Sequence, residues 1–213
     1  MFVEIPPDFL SAIATDSNRM PKLYYHPRAI ARKFFWLRLR HIYSLMNKHL
    51  SSMDSCMDFG CGSGVFLPSL SSFFHSVWGI DIELVEAFKI IEHYDLKNIK
   101  LMNMNIYTAD LDEQFDAIVA ADVLEHFDNL DKPISQLNRW LKTDGLLFTS
   151  LPTENIFTRS TRIVGGYKHP SDHYHSGEEV ENVLRKQGFY KIDSRQVLFF
   201  FPLYLIGVWK KAP

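Results

Sequence analysis

The sequence predicts an α/β fold: a three-layer, doubly wound sheet of seven strands, mostly parallel with an antiparallel C-terminal strand pair, preceded by an N-terminal helical cap. Three observations predict it. Apolar residues recur at helical spacing over positions 8–50, short apolar runs alternate with helical patterns from residue 53 onward, and two apolar runs lie close together near the C-terminus. The chain has 213 residues, of which 46% are hydrophobic and 23% charged, so it holds one domain of roughly 150 residues and an accessory segment. That composition excludes disordered, collagen-like and low-complexity chains.

Taken in order, Ile30, Phe34, Leu37, Ile42, Leu45 and Met46 recur at three- to five-residue intervals among polar positions and predict the helical extension. Candidate strands follow at 55–59, 76–80, 99–102, 117–121 and 146–150. Between them, 65–74, 83–94 and 131–141 suit helices, and Gly145 follows soon after the last. Strands alternating with helices imply right-handed crossovers and a parallel sheet. Ser176 with Glu179 three residues later is a capping-box signature, Val180, Val183 and Leu184 make an apolar stripe, and Gly188 suits the stop. The strand-like runs 190–200 and 203–210 are separated only by the short segment 201–202, which favours antiparallel pairing. The apolar run 197–209 is shorter than the roughly 20 residues of a spanning helix and contains Pro202 and Gly207, so core strands are expected.

The formal charge of -2 hides an asymmetry. Arg28, Arg32, Lys33, Arg38, Arg40 and Lys48 crowd one helix with no Asp or Glu among them, leaving 17 basic against 25 acidic residues elsewhere. A solvated helix face is one reading; contact with an anionic substrate, a partner or a peripheral membrane surface is the other. No global positive charge points to nucleic acid. Two cysteines, Cys56 and Cys61, are too few for a disulfide framework, and the N-terminus lacks the pattern of a signal peptide, so a cytoplasmic setting is expected. The sequence leaves the oligomeric state open.

The segment Met57-Asp58-Phe59-Gly60-Cys61-Gly62-Ser63-Gly64 lies directly after the first strand and directly before a helix. Glycines there let the chain turn sharply and bring backbone N–H groups close to a ligand. The spacing is G-x-G-x-G; a dinucleotide fingerprint requires glycine at position 65, where Val65 stands, and no Gly-Lys-Ser/Thr closes a phosphate loop. Asp81 ends the second strand, where an acidic side chain accepts hydrogen bonds from ribose hydroxyls; a helix N-cap for the segment beginning at Glu83 is the competing role.

These residues, followed by Gly79-Ile80-Asp81, Phe115-Asp116-Ala117-Ile118-Val119, Val123-Leu124-Glu125-His126 and Leu141-Lys142-x-x-Gly145, resemble the ordered motifs of class I, Rossmann-like S-adenosylmethionine-dependent methyltransferases. The small-molecule branch that includes quinone-biosynthesis methyltransferases is the nearest likeness. The resemblance covers about residues 53 to 210 and implies a cap over 1–50 and a cofactor-binding methyltransferase domain over 51–213. It also implies S-adenosyl-L-methionine as cofactor. Gly60, Gly62 and Gly64 would line its methionine part, with Asp58 organising the loop and receiving the amino group; Asp81 would hold the ribose and Ile82 pack on the adenine. After the third strand, the family's usual acidic residue is replaced by Asn105, beside Ile106, a neutral and weaker acceptor; Asp110 is the alternative. Ala121 and Asp122 would lie near the sulfonium.

Methyl transfer from a sulfonium chiefly needs an aligned nucleophile and excluded water, and no metal is required in principle. His126 is a candidate to take the acceptor's proton, and His173 is a second; alternatively Glu125 and His126 open a short helix that shapes the pocket. The polar run 168–175, preceded by Gly165 and Gly166, would close over substrate as a lid. Its His169, Asp172, His173 and His175 have the residue types of a metal site but no defensible ligand spacing. Tyr24, Tyr25, Phe34, Phe35, Trp36, Phe157, Tyr167 and Tyr174 suit an apolar or aromatic small-molecule acceptor. A non-catalytic S-adenosylmethionine-binding regulatory module is the alternative function, and a nicotinamide-dependent dehydrogenase is disfavoured by Val65.

Overall fold

The computed structural model describes residues 1–16, 19–153, 174–197 and 203–212. Helix α1 spans Pro7–Ile13, and α2 spans Ala29–His49. A single 3-10 turn at Lys22–Tyr25 lies between them. The expected continuous helical texture over 8–50 is therefore broken, and the reason is local: Pro21 and Pro27 flank the turn, and a proline ring disfavours helical backbone in the residue before it.

From residue 55 the order is β1 (Ser55–Phe59), α3 (Leu67–Ser71), β2 (Ser76–Asp81), α4 (Val85–His93), β3 (Ile99–Asn103), β4 (Phe115–Ala121), α5 (Asp131–Trp140), β5 (Leu141–Pro152), α6 (Gly177–Lys186), β6 (Phe189–Val197) and β7 (Tyr204–Lys211). The seven strands form one sheet in the order β3-β2-β1-β4-β5-β7-β6. The first five are parallel, and β7 runs antiparallel to both β5 and β6, inserted between them. Capping at Ser176 is as expected: its hydroxyl accepts from the Glu179 N–H while the Glu179 carboxylate accepts from the Ser176 N–H. Gly188 follows α6 at φ 85°, a left-handed stop that glycine adopts without penalty.

The central strands β1 and β4 are buried on both faces, and side chains of the parallel strands alternate between two cores. Cys56, Val77, Ala117, Val119, Leu146 and Phe148 join one core with residues of α1 to α4, including Leu10, Trp36, Ile42 and Leu45. Met57, Ile80, Ile118, Ala120 and Leu147 face the other, where Ile134, Leu137 and Trp140 of α5 meet Val180 and Leu184 of α6. The N-terminal helices thus pack on the sheet as one of its layers. In α2 the buried side is Phe35, Trp36, Leu39, Ile42, Leu45 and Met46, whereas Ile30 is exposed, so the inward stripe is rotated from the expected one at its N-terminal end.

Several boundaries differ from expectation, among them β4, which starts at Phe115, two residues earlier than expected. The helix after the glycine loop is only Leu67–Ser71, because Gly64 O accepts from Leu67 N–H in a tight turn before Pro68 can open the helix. Helix α4 starts at Val85, two residues later than expected, and β5 starts at Leu141, where Leu141 pairs with Phe115 across a bulge. Strand order reverses between β1 and β4, and a crevice outside the carboxyl ends of such strands is where doubly wound sheets hold ligands.

Candidate functional site

The loop after β1 turns on three left-handed glycines, Gly60 (φ 72°), Gly62 (φ 52°) and Gly64 (φ 78°). Each is also approached closely. A Cβ on Gly60 would stand 2.3 Å from Val123 Cγ2, one on Gly64 would stand 2.9 Å from Ala87 Cβ, and one on Gly62 would stand 3.1 Å from the Arg19 carbonyl oxygen. Any side chain at 60 or 64 must displace β4's following turn or α4.

Asp81 closes the same crevice from the end of β2. Its Oδ2 accepts from the Gly62 N–H at 2.8 Å, and its Oδ1 accepts from the Glu83 N–H at 3.2 Å. The competing N-cap role falls away, because α4 has Leu84 at its N-cap and no side chain capping it. Arg19 Nε lies 3.8 Å from both the Asp81 and Glu83 carboxylates, and the Arg19 carbonyl accepts from Ser63 N–H at 3.3 Å. The segment before α2 therefore crosses the glycine loop.

Asp58 is buried beneath this loop at 4% exposure. Burial, reinforced by the neighbouring Asp81 charge, pushes its carboxyl up to about 7. A cation placed beside such a group would favour its charged form. Cys61 is buried too, and burial drives its thiol well above the ordinary range, which fits a small packing residue better than a nucleophile.

The remaining expected residues distribute around the same edge. Ile82 is exposed beside an outward-facing hollow of about 460 Å³ that Asn103 and Phe88 also line. Asn105 follows β3, and its side-chain oxygen accepts from Tyr107 N–H at 2.9 Å, while Ile106 is buried in the second core. Ala121 ends β4 and Asp122 follows it at φ 54°, with its carboxylate paired to Arg38 and accepting from Ser150 Oγ. His126 ends a single 3-10 turn, Leu124–His126, whose Glu125 carbonyl accepts from Tyr174 N–H at 2.9 Å. His173, with His169, Asp172, Phe157 and Tyr167, lies outside the described residues. Among the described residues, no group of three or more His, Cys, Asp or Glu is placed to hold a metal ion.

Arg38 is the residue that sequence reasoning missed. Counted there among the cations of one helix face, it is 3% exposed and points inward, with Nη2 donating to Tyr24 Oη at 2.7 Å. Arg40 and Lys48 are likewise committed, to Glu4 and Asp193, and Arg32 donates to the His26 and Pro27 carbonyls. Arg28 and Lys33 are exposed at the start of α2. The available signal was the aromatic company of Arg38: Phe35 is three positions before it, on the same helical face.

Comparison with known proteins gives a consistent picture. A family model described as a methyltransferase domain matches residues 25–194. Similar curated proteins include (S)-coclaurine N-methyltransferase of Papaver somniferum, 27% identical over 68% of this chain and 42% of its own length. The mitochondrial ubiquinone biosynthesis O-methyltransferase of Rattus norvegicus is 30% identical over 66% of this chain and 45% of its own. The chain thus spans less than half the length of these curated relatives. Among solved structures, N-methyltransferase NodS of Bradyrhizobium japonicum with S-adenosyl-L-homocysteine superposes with a TM-score of 0.70, 16% identity, and coverage of 97% of this chain and 98% of its own. Magnesium protoporphyrin IX methyltransferase of Synechocystis with the same product bound gives 0.71, 18% identity, and coverage of 97% and 98%. At these identities, the likeness to solved structures establishes the fold.

The elevated Asp58 carboxyl makes a prediction about stability. In the unfolded chain an aspartate titrates near about 3.9, so between about pH 4 and about 7 the folded protein holds a proton that the unfolded chain has lost. Stability should fall as pH rises through that window. Urea midpoints at a series of pH values are expected to show this decline in the wild type and a shallower one in Asp58→Asn; parallel profiles would contradict the assignment.

Proposed function

The chain belongs to the methyltransferase-domain family, and from that premise we propose that it transfers a methyl group from S-adenosyl-L-methionine to a small-molecule acceptor. The observation that carries this reading is the pairing of a Cβ-free loop, Gly60 to Gly64, with the Asp81 carboxylate at its rim. The residues suit the cofactor on chemical grounds. The loop's backbone can approach a ligand closely, Asp81 offers acceptors to a pair of ribose hydroxyls, and the buried Asp58 suits the cofactor's ammonium group.

In this reading residues 51–213 bind the donor and residues 1–50 form the cap. When bound, S-adenosylmethionine supplies a methyl group already activated on a sulfonium. The protein's part is to orient and to exclude water. Asp81 exchanges its contacts with Gly62 N–H and Arg19 for ribose hydroxyls, and Ile82 packs on the adenine with Asn105 and Ile106 beyond it. Ala121 and Asp122 border the reacting end. His126 and His173 are the proposed acceptors of the proton on the attacking atom. Among the cap's aromatic side chains, half-buried Tyr25 and Phe34 suit an apolar or aromatic acceptor, while Tyr24 and Phe35 pack edge to face in the core. The O- and N-methyltransferases among the relatives support testing phenols and amines first. The free, buried cysteines fit a cytoplasmic setting.

A peripheral contact with anionic membrane is proposed for the start of α2. No Asp or Glu occurs between residues 17 and 53, and exposed Ile30 stands beside exposed Arg28 and Lys33. Among the described residues, no helix is long and apolar enough to cross a membrane.

Calorimetry is expected to detect S-adenosylmethionine binding, weakened strongly by Asp81→Ala and by Gly62→Arg, with product formation from a phenol or amine panel; unchanged affinity in both variants would refute the cofactor site. Sedimentation with anionic vesicles at low salt, lost at high salt and in an Ile30→Glu, Lys33→Glu double variant, is the expected mark of membrane contact. Equal sedimentation of the double variant would remove that proposal.

A further inference from the structure

The Asp81 side chain is only 8% exposed. A ribose reaches that carboxylate by taking the place of a group already beside it. Two neighbouring groups are backbone N–H donors, from Gly62 and Glu83. A third is the Arg19 side chain, which is 37% exposed and has room to swing outward.

The Arg19 main chain has no such latitude. Its carbonyl accepts from Ser63 N–H at 3.3 Å, and a Cβ on Gly62 would stand 3.1 Å from that oxygen. Met20, next in sequence, is buried in the first core. On the N-terminal side the Ile13 carbonyl accepts from Lys89 Nζ at 3.2 Å, and Thr15 donates to the buried Glu86 carboxylate through its hydroxyl and its N–H, the latter at 3.2 Å. Glu86 and Lys89 belong to α4, so the chain is tied down on both sides of Arg19 while the guanidinium reaches across the crevice. Arg19 Nε lies 3.8 Å from Asp81 Oδ1 and 3.8 Å from Glu83 Oε2, beyond hydrogen-bonding distance of either, so one cation is shared between two carboxylates. At 40% exposure, Glu83 is the one that stands toward solvent.

We propose that Arg19 is a side-chain gate on the ribose acceptor, and that Glu83 is the positioning residue that receives its guanidinium when a ribose takes Asp81. The inference rests on the donor-site reading. Sharing makes the exchange mild: on losing Asp81, the guanidinium closes on Glu83 in a direct ion pair and regains part of the lost attraction. The part not regained lowers affinity for donor and product alike. Such a gate shortens the residence of S-adenosylhomocysteine after transfer, and product release is a step on which turnover often waits.

Calorimetry on the full chain with two probes tests the gate without a known acceptor. One is S-adenosylhomocysteine; the other is 5′-methylthioadenosine, which has the same base, ribose and sulfur but no charge, so an effect on it cannot come from the amino-acid end. Arg19→Met, which keeps bulk and removes charge, is expected to tighten both probes about threefold, the scale of an exposed ion pair, and Arg19→Lys to tighten them less. Glu83→Gln is expected to weaken both about twofold in the wild-type background and to have no effect beside Arg19→Met. Unchanged or weaker binding in Arg19→Met would overturn the gate and leave the functional reading intact, and an equal effect of Glu83→Gln in both backgrounds would overturn the part given to Glu83. Failure of both probes to bind the wild type would overturn the functional reading itself.

Discussion

Steric exclusion around Gly60, Gly62 and Gly64 is the constraint on which the rest of the molecule depends. Each glycine is met by a different part of the chain: Val123 after β4, the Arg19 carbonyl of the N-terminal segment, and Ala87 of α4. With no Cβ in the way, these parts converge on one loop at the point where strand order reverses. A side chain at either end of the loop would separate β1 from β4's turn or from α4, and both the crevice and the strained Asp122 backbone would go with it.

A second seam, partly ionic, joins the N-terminal helices to the sheet. Arg19 lies near Asp81 and Glu83, Arg38 pairs with Asp122, and Lys48 and His49 pair with Asp193 on β6. The exposed Lys48 contact contributes little to stability by itself. The buried Arg38 pair is different in kind, since removing either partner strands a charge in a low-dielectric site. Beneath these pairs an apolar layer of Trp36, Leu39, Ile42 and Leu45 continues into Val119 and Phe148 of the sheet. The near-zero net charge of the chain is in this sense structural: cations of the cap meet acids of the body.

Much of this was legible in the sequence, because the informative features are local. The starts of β1, β2 and β3 at 55, 76 and 99, the capping box at Ser176, and the stop at Gly188 all depend on neighbours a few residues away. The glycine spacing identified the loop and Asp81 its rim for the same reason. What was not legible is set by distant partners. β7 inserts between β5 and β6, and β5 extends back to Leu141 through the polar stretch Lys142-Thr143-Asp144 because Phe115 pairs with it across a bulge. Arg38 sits in a run of cations, and only the fold brings it to Asp122, 84 positions away in sequence. Periodicity also misplaced Ile30, whose apolar character marks the exposed beginning of α2, outside the sheet-facing side.

The central claim is that the Gly60–Gly64 loop and Asp81 together form the donor site, with Asp81 surrendering its present contacts. A crystal structure of the full chain with S-adenosyl-L-homocysteine tests it most directly. The account predicts the ribose hydroxyls within hydrogen-bonding distance of the Asp81 carboxylate, with Gly62 N–H and Arg19 released from it. A ligand bound elsewhere, or an Asp81 still bonded to Gly62 N–H and out of reach of the ribose, would contradict it.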